Sequence, residues 1–237
     1  MTALILLAGG YGRRTSLDVP KQFVKINGRT ILEHTLGKVS GVEGIDEIIV
    51  VSNPEFLSLT KSITRRFPKV MAVTAGGVTR NESIYKGFLK VPEAEEKVII
   101  HDAVRPFTPR WIFARIIKLL DDKDVVTTVN PITGNLIELD GEFVGTIHDR
   151  KRFAIGEAPT GYRYEALKRT LEHALEGDIL NVVPHDVELA MKAGFRVHAL
   201  FCNCFNLKIT FKEDIEIARA LLGGKDEADG FRHYSDL

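Results

Sequence analysis

Apolar residues along this chain arrive in short, nearly continuous runs: "ALILLA" at 3–8, "DEIIVVS" at 46–52, "VMAVTA" at 70–75, "KVIIH" at 97–101 and "DVVTTV" at 124–129. Runs this short, rich in aliphatic and β-branched residues, predict strands covered on both faces. Between them, "TILEHTLGKV", "PEFLSLTKSITRRF", "RNESIYKGFLKV" and "PRWIFARIIKLL" carry apolar residues three and four apart, the period of a helix packed along one side. The alternation predicts an α/β fold with a mostly parallel sheet, right-handed crossovers and helices on both faces.

Residues 130–150, "NPITGNLIELDGEFVGTIHDR", break the alternation with two strand-like pieces around Asp140-Gly141. An Asp-Gly pair between alternating stretches predicts a hairpin, here an arm over about 131–150 that leaves the sheet. Residues 1–222 are then one domain, and the polar tail 223–237 is expected to be mobile.

In open parallel sheets ligands gather beyond the carboxyl ends of the strands. The segments at those places here are "GGYGRR", "GGVTRNES" and "HDAVRP", each with an arginine and two with a glycine pair. Glycines 9, 10 and 12 let backbone N–H groups approach an anion closely. A dinucleotide fingerprint would need glycine where Thr15 stands and an acidic residue near Ser52 and Asn53; the Gly-Lys-Ser/Thr of a Walker A loop is absent as well. A nicotinamide-dependent dehydrogenase is therefore disfavoured. Arg14, with Lys21 seven residues beyond it in "DVPKQF", would suit a triphosphate in an exposed cationic pocket. Taken alone, the loop fits equally a tight turn with solvated cations.

Composition adds boundaries. The 237 residues are 44% hydrophobic, enough for a sizeable core, and 32 basic residues balance 32 acidic ones, so no overall field favours nucleic acid or a membrane surface. The start lacks the features of a signal peptide, and no apolar run approaches the ~18 to 20 residues of a membrane span, so a cytoplasmic protein is expected. Cys202 and Cys204 are too few for a disulfide framework and are expected as reduced core thiols on one face of a strand. His101 reads as a structural histidine, and Trp111 as packing beside the stripe Phe113, Ile116, Ile117 and Leu120.

In order, "LAGGYGRR", "VPKQF", "GGVTRNES", "HDAVRPF" and "NLKIT" closely resemble the cytidylyltransferases that activate small polyol phosphates. That family includes the 2-C-methyl-D-erythritol 4-phosphate and ribitol-5-phosphate cytidylyltransferases. The resemblance implies a Rossmann-like nucleotidyltransferase fold, transfer of CMP from CTP with release of pyrophosphate, and a Mg²⁺ cofactor held mainly by phosphates, with Asp102 as a candidate protein ligand. Ala8, Gly9, Gly10 and Gly12 would follow the triphosphate, with Arg14 and Lys21 neutralising its charge. Gly76, Gly77, Arg80 and Ser83 match the segment that reads cytosine. Asp102 with Ala103, and Arg105, match residues between the nucleotide and the incoming polyol phosphate, and Lys208 matches the lysine at the α-phosphate.

The resemblance further implies a homodimer in which Arg150, on the arm, reaches the acceptor phosphate in the neighbouring subunit. The acceptor half departs from the family pattern. Ala158 replaces a threonine, "PHDVE" places Pro184 and His185 on a Thr-Asp pair, and Phe205 precedes "NLKIT". His185 and Asp186 are either a rebuilt acceptor wall or a helix start. The appearance of "HDAVRPF" and "RNES" puts a ribitol-type acceptor first and methylerythritol phosphate second. A non-catalytic nucleotide-binding protein is the alternative from another class.

Overall fold

A computed structural model describes residues 1–11 and 19–223. Its centre is a seven-stranded sheet in the order β11 (Val197–Phe201), β7 (Val125–Pro131), β10 (Ala154–Arg163), β6 (Lys97–Asp102), β1 (Thr2–Ala8), β4 (Glu47–Ser52), β5 (Val70–Ala75). The five apolar runs become β1 (Thr2–Ala8), β4 (Glu47–Ser52), β5 (Val70–Ala75), β6 (Lys97–Asp102) and β7 (Val125–Pro131). Two further strands complete the sheet: β10 (Ala154–Arg163), antiparallel between β6 and β7, and β11 (Val197–Phe201), parallel at the edge beside β7.

The pleat divides each buried strand between two apolar layers. From β1, Leu4, Leu6 and Ala8 join one layer, with α1 (Ile31–Ser40), α2 (Leu57–Thr64) and α4 (Arg110–Leu119), against whose residues Trp111 also packs. Ala3 and Ile5 join the other, under α3 (Arg80–Phe88), α5 (Tyr164–Glu176) and α6 (Asp186–Lys192). A third, smaller cluster around Ile26, Ile31, Val104 and Ile209 seats α7 (Lys212–Gly223). Before α1, β2 (Lys25–Ile26) and β3 (Arg29–Thr30) turn through Asn27-Gly28, both at positive φ. Thr30 then opens α1 with a reciprocal cap to Glu33.

The arm forms as expected from its Asp-Gly turn: β8 (Leu136–Asp140) pairs with β9 (Phe143–His148), and Gly141 takes the positive φ. Cross-strand pairing puts Ile137 opposite Ile147 and Leu139 opposite Val144, all exposed.

The cysteines correct their expectation. They lie in the loop after β11, not on a strand, with Cys202 buried in the core. Asn203 between them adopts φ 46°. The expected tail at 223–237 lies, beyond Gly223, outside the described residues. Among the described residues no helix is long and apolar enough to cross a membrane.

After β1, the chain fills β4 and β5 on one side and then crosses to β6 on the other. This reversal opens the crevice at the carboxyl ends of β1, β4 and β6. Close packing behind that crevice is strict at Gly161 of β10, where an added Cβ would collide with Ile116 and Leu120. Gly161→Ala is expected to lower unfolding free energy by about 1–3 kcal/mol through overpacking, read from the urea midpoint; an unchanged midpoint would show that α4 yields freely.

Candidate active site

β1 delivers Ala8 to the crevice, and the chain turns there through Gly9 and Gly10. A residue absent from the sequence reading fixes this turn: Gln22, buried in the short helical turn Lys21–Phe23, donates its Nε2 to the carbonyls of both Ala8 and Gly10, each at 2.9 Å. Asn53, after β4, adds a longer bond to the Gly9 carbonyl at 3.4 Å. With their carbonyls drawn toward Gln22 and Asn53, the glycines cannot drift from the crevice. Gly12 and Arg14 lie outside the described residues. Lys21 corrects an expectation: it is 8% exposed, buried together with Gln22 and Phe23 in that turn.

The second glycine pair faces the first. The Ser83 hydroxyl accepts from the Gly77 N–H at 3.0 Å and donates to the Thr79 carbonyl at 2.9 Å. A Cβ on Gly76 would meet that hydroxyl at 2.9 Å, and one on Gly9 would lie 3.9 Å from it, so Ser83 stands between the two loops. Glycine is required at 76 and 77 by this approach: at Gly77 a Cβ would run into the Glu82 side chain. Thr79 caps α3, its side chain accepting from the Glu82 N–H.

Beside these loops β6 ends in Asp102. Ala103 behind it is buried, its N–H on the Leu7 carbonyl at 2.9 Å and its own carbonyl accepting from Thr35 at 2.8 Å. Asp102 is 7% exposed and meets three cations: Lys208 Nζ at 3.0 Å, Arg105 Nε at 3.4 Å and Arg80 Nε at 3.9 Å. Burial alone would raise its pKa; Lys208, Arg80 and Arg105 outweigh this and hold the carboxyl well below the usual carboxylate range. The structure thus brings together Asp102, Arg105, Arg80 and Lys208, which the sequence separates by up to 128 positions.

Arg80 turns toward α6. Its Nη1 donates to Asp186 Oδ1, and Asp186 Oδ2 accepts from the buried Tyr162 hydroxyl at 2.8 Å. Burial tends to lower the Arg80 pKa, but Asp186 and Asp102 hold it further above the usual guanidinium range. Asp186 opens α6 and is buried, whereas His185 before it is exposed. "PHDVE" is therefore a helix start whose aspartate anchors an arginine of the crevice. Arg150 stands apart, exposed at the foot of the arm with Nη1 donating to the Thr133 carbonyl at 2.5 Å.

Phosphate-binding chemistry is what this arrangement offers: turned glycines, cations converging on one ionised carboxylate, and no exposed imidazole at the strand end. His101 is fully buried, edge-on to Phe113 at 5.0 Å. The decisive comparison is with protein families: residues 2–224 match the model described as IspD, 2-C-methyl-D-erythritol 4-phosphate cytidylyltransferase.

The chain belongs to the IspD family.

It is accordingly a nucleotidyltransferase of the cytidylyltransferase kind. It is 32% identical to the 2-C-methyl-D-erythritol 4-phosphate cytidylyltransferase of Thermosipho melanesiensis over 91% of this chain and 95% of that one. A similar identity, 32%, relates it to a bifunctional ribulose 5-phosphate reductase/CDP-ribitol pyrophosphorylase of Haemophilus influenzae, over 92% of this chain and 47% of the relative. Among solved structures, 4-diphosphocytidyl-2C-methyl-D-erythritol synthase from Anaerococcus prevotii superposes with a TM-score of 0.82 at 26% identity, covering 94% of this chain and 96% of that one. The α/β fold of this family, with its mostly parallel sheet, is the one described above.

His101 generates a prediction about pH. Burial pushes its pKa down to about 3, against about 6.5 in an unfolded chain. Because the folded value is the lower one, the unfolded state binds the proton first. Stability is then complete above pH ~6.5 and falls as pH drops toward 3, by up to roughly 1.4 kcal/mol per unit. Urea unfolding at pH 7 and pH 5 should show a steeper loss for the wild type than for His101→Asn, and equal slopes would mean that the imidazole takes up its proton without unfolding.

Proposed function

We propose that this family member transfers CMP from CTP to a small polyol phosphate, with 2-C-methyl-D-erythritol 4-phosphate as the leading acceptor. The observation that carries the reading is the convergence of Lys208, Arg105 and Arg80 on ionised Asp102 beside two facing glycine turns. The family match and the named methylerythritol relatives weigh toward methylerythritol phosphate; the Haemophilus relative, of the same identity but matched over 47% of its length, supports ribitol 5-phosphate as the second reading.

The chemistry asks for little proton transfer. A phosphate monoester has its second pKa at about 6, so above neutrality the acceptor arrives as a dianion. One of its oxygens attacks the α-phosphorus of CTP, a new P–O bond forms there, and the bond to the β-phosphate oxygen breaks to release pyrophosphate. Two anions must be brought together and the charge on the leaving oxygen stabilised, which cations and backbone amides do by position. In this reading Lys208 serves the α-phosphate, Lys21 and Arg14 the triphosphate, and Arg105 and Arg80 keep Asp102 ionised between nucleotide and acceptor. Gly76, Gly77 and Ser83 read cytosine through backbone groups. His101, buried and neutral, takes no part.

A Mg²⁺ ion fits the donor set, because Mg²⁺ is commonly held by one or two carboxylates together with substrate phosphates, and Asp102 is a carboxylate kept charged at the crevice. When bound it would neutralise charge on the phosphate oxygens.

Pyrophosphate release with CTP and each of the two acceptors tests the reading. One of them should turn over, with CTP preferred over UTP by at least about 100-fold, since a site built to pair the cytosine amine is left unpaired by uracil. Silence with both acceptors would sink the proposal.

The arm supports a homodimer. Ile137, Leu139, Val144 and Ile147 form one apolar face, 43–68% exposed, on a two-stranded ribbon that is marginal in water by itself. A second copy of the chain would cover that face and carry Arg150 to the neighbouring acceptor site. A mixture of two inactive variants, Lys208→Ala and Arg150→Ala, should then recover activity, because one site of each mixed dimer keeps both residues. Lys208 is chosen over Lys21, whose burial would confound charge with packing. Random exchange predicts about a quarter of wild-type activity; full activity of Arg150→Ala alone, or no recovery on mixing, would refute the shared site.

A further inference from the structure

We propose that Asn206 is a positioning residue of this site: its side chain clasps the β10 turn and the loop after β6, and so sets Lys208 and Arg105 against Asp102. The inference rests on the phosphoryl-transfer reading above and deepens it.

Asn206 is 4% exposed, and its polar atoms join three segments. Nδ2 donates to Glu157 Oε2 and to the Ala158 carbonyl, both at 2.7 Å, at the irregularity of β10 between Glu157 and Thr160. Oδ1 accepts from the Thr108 hydroxyl at 2.6 Å. The backbone carbonyl of Asn206 accepts from Arg105 Nη1 at 2.6 Å, while Arg105 Nε turns to Asp102. Lys208 follows two residues later, and the Ile209 N–H bonds to the Val104 carbonyl at 3.0 Å, closing the loop onto the segment that carries Arg105.

The amide is oriented without ambiguity. Two of its neighbours, Glu157 Oε2 and the Ala158 carbonyl, can only accept, so they must face the NH₂ group. Aspartate, though nearly the same shape, offers two acceptors when ionised and would turn a doubly donating clasp into a repulsion from Glu157. Only its protonated form could donate to one of the two. A residue that merely filled space would tolerate that change in the chemical step, because its methylene and planar head are kept. A residue that positions Lys208 would not, since displacement of a catalytic group by about 1 Å is enough to cost roughly 100-fold in rate.

The test uses Asn206→Asp and the double variant Asn206→Asp/Glu157→Gln, with CTP and whichever acceptor the wild type accepts. At pH 8, Asn206→Asp should lose about 100-fold in kcat while the KM for CTP stays within about threefold. Its rate relative to wild type should rise as pH falls to 6, as the introduced carboxyl and Glu157 come to share a proton. In the double variant the glutamine amide supplies the missing donor, so kcat should recover at least about tenfold over Asn206→Asp and the relative pH dependence should flatten.

Wild-type kcat in Asn206→Asp, or a double variant no better than the single one, overturns the proposal. If Asn206→Asp does not fold, Asn206→Ala carries the same kcat and KM comparison without the pH recovery. If the wild type itself is inert with both acceptors, the functional reading fails separately. The clasp is then judged by amide hydrogen exchange across residues 205–210: faster exchange in Asn206→Ala than in wild type supports it, and unchanged exchange refutes it.

Discussion

One buried negative charge organises the crevice. Asp102 lies at a strand end where water is scarce, and a carboxylate there is tolerable only because Lys208, Arg105 and Arg80 are drawn to it. Those cations come from the loop before α7, the turn after β6 and the first turn of α3. The charge therefore ties together segments that the sheet alone would leave free to drift. Each arginine needs a second anchor so that its own position is not soft. Asp186, itself held by Tyr162, supplies one to Arg80, and the Asn206 carbonyl supplies one to Arg105.

The formal charges of this inner group balance. Arg80, Arg105 and Lys208 face Asp102, Asp186 and Glu157, which lies 3.9 Å from Arg105. A neutral cluster carries little net field over distance, so the group acts on an anion at contact range rather than by drawing one in. Lys208 is the most exposed cation of the group, with 40% of its side chain accessible, whereas Arg105 is at 10%. Of the three, it is the one able to exchange Asp102 for a phosphate oxygen without breaking the packing around it.

Much of the frame was legible in the sequence because its strands are buried on both faces and so appear as unbroken apolar runs. β10 was not: "AIGEAPTGYR" contains Gly156, Pro159 and Gly161, which argue against a strand, and it becomes one through its neighbours β6 and β7. The charged residues of the crevice were legible through ordered motifs. Their supports were harder to see, since Gln22, Asn206 and Asp186 act on partners 12 to 106 positions away, and polar side chains look alike until a fold pairs them. The burial of Lys21 is hidden in the sequence for the same reason. Gln22 lies inside "VPKQF", where a polar residue shortly after a glycine loop is itself a signal of support for that loop.

The positions that depart from the family pattern can vary without disturbing the crevice because of which atoms its contacts use. At position 158 the network takes the backbone carbonyl, which alanine supplies as well as threonine does, so losing a hydroxyl there leaves Asn206 and Arg105 in place. His185 is exposed while the aspartate after it does the anchoring, so the preceding positions can vary without loosening Arg80. Phe205 packs edge-on to Phe107 at 5.5 Å and is 37% exposed, an apolar surface directly before the residue of the clasp. Backbone contacts and buried charges thus hold the geometry of the crevice, while the side chains that depart from the family pattern, at 158, 185 and 205, lie outside the polar contacts that fix it.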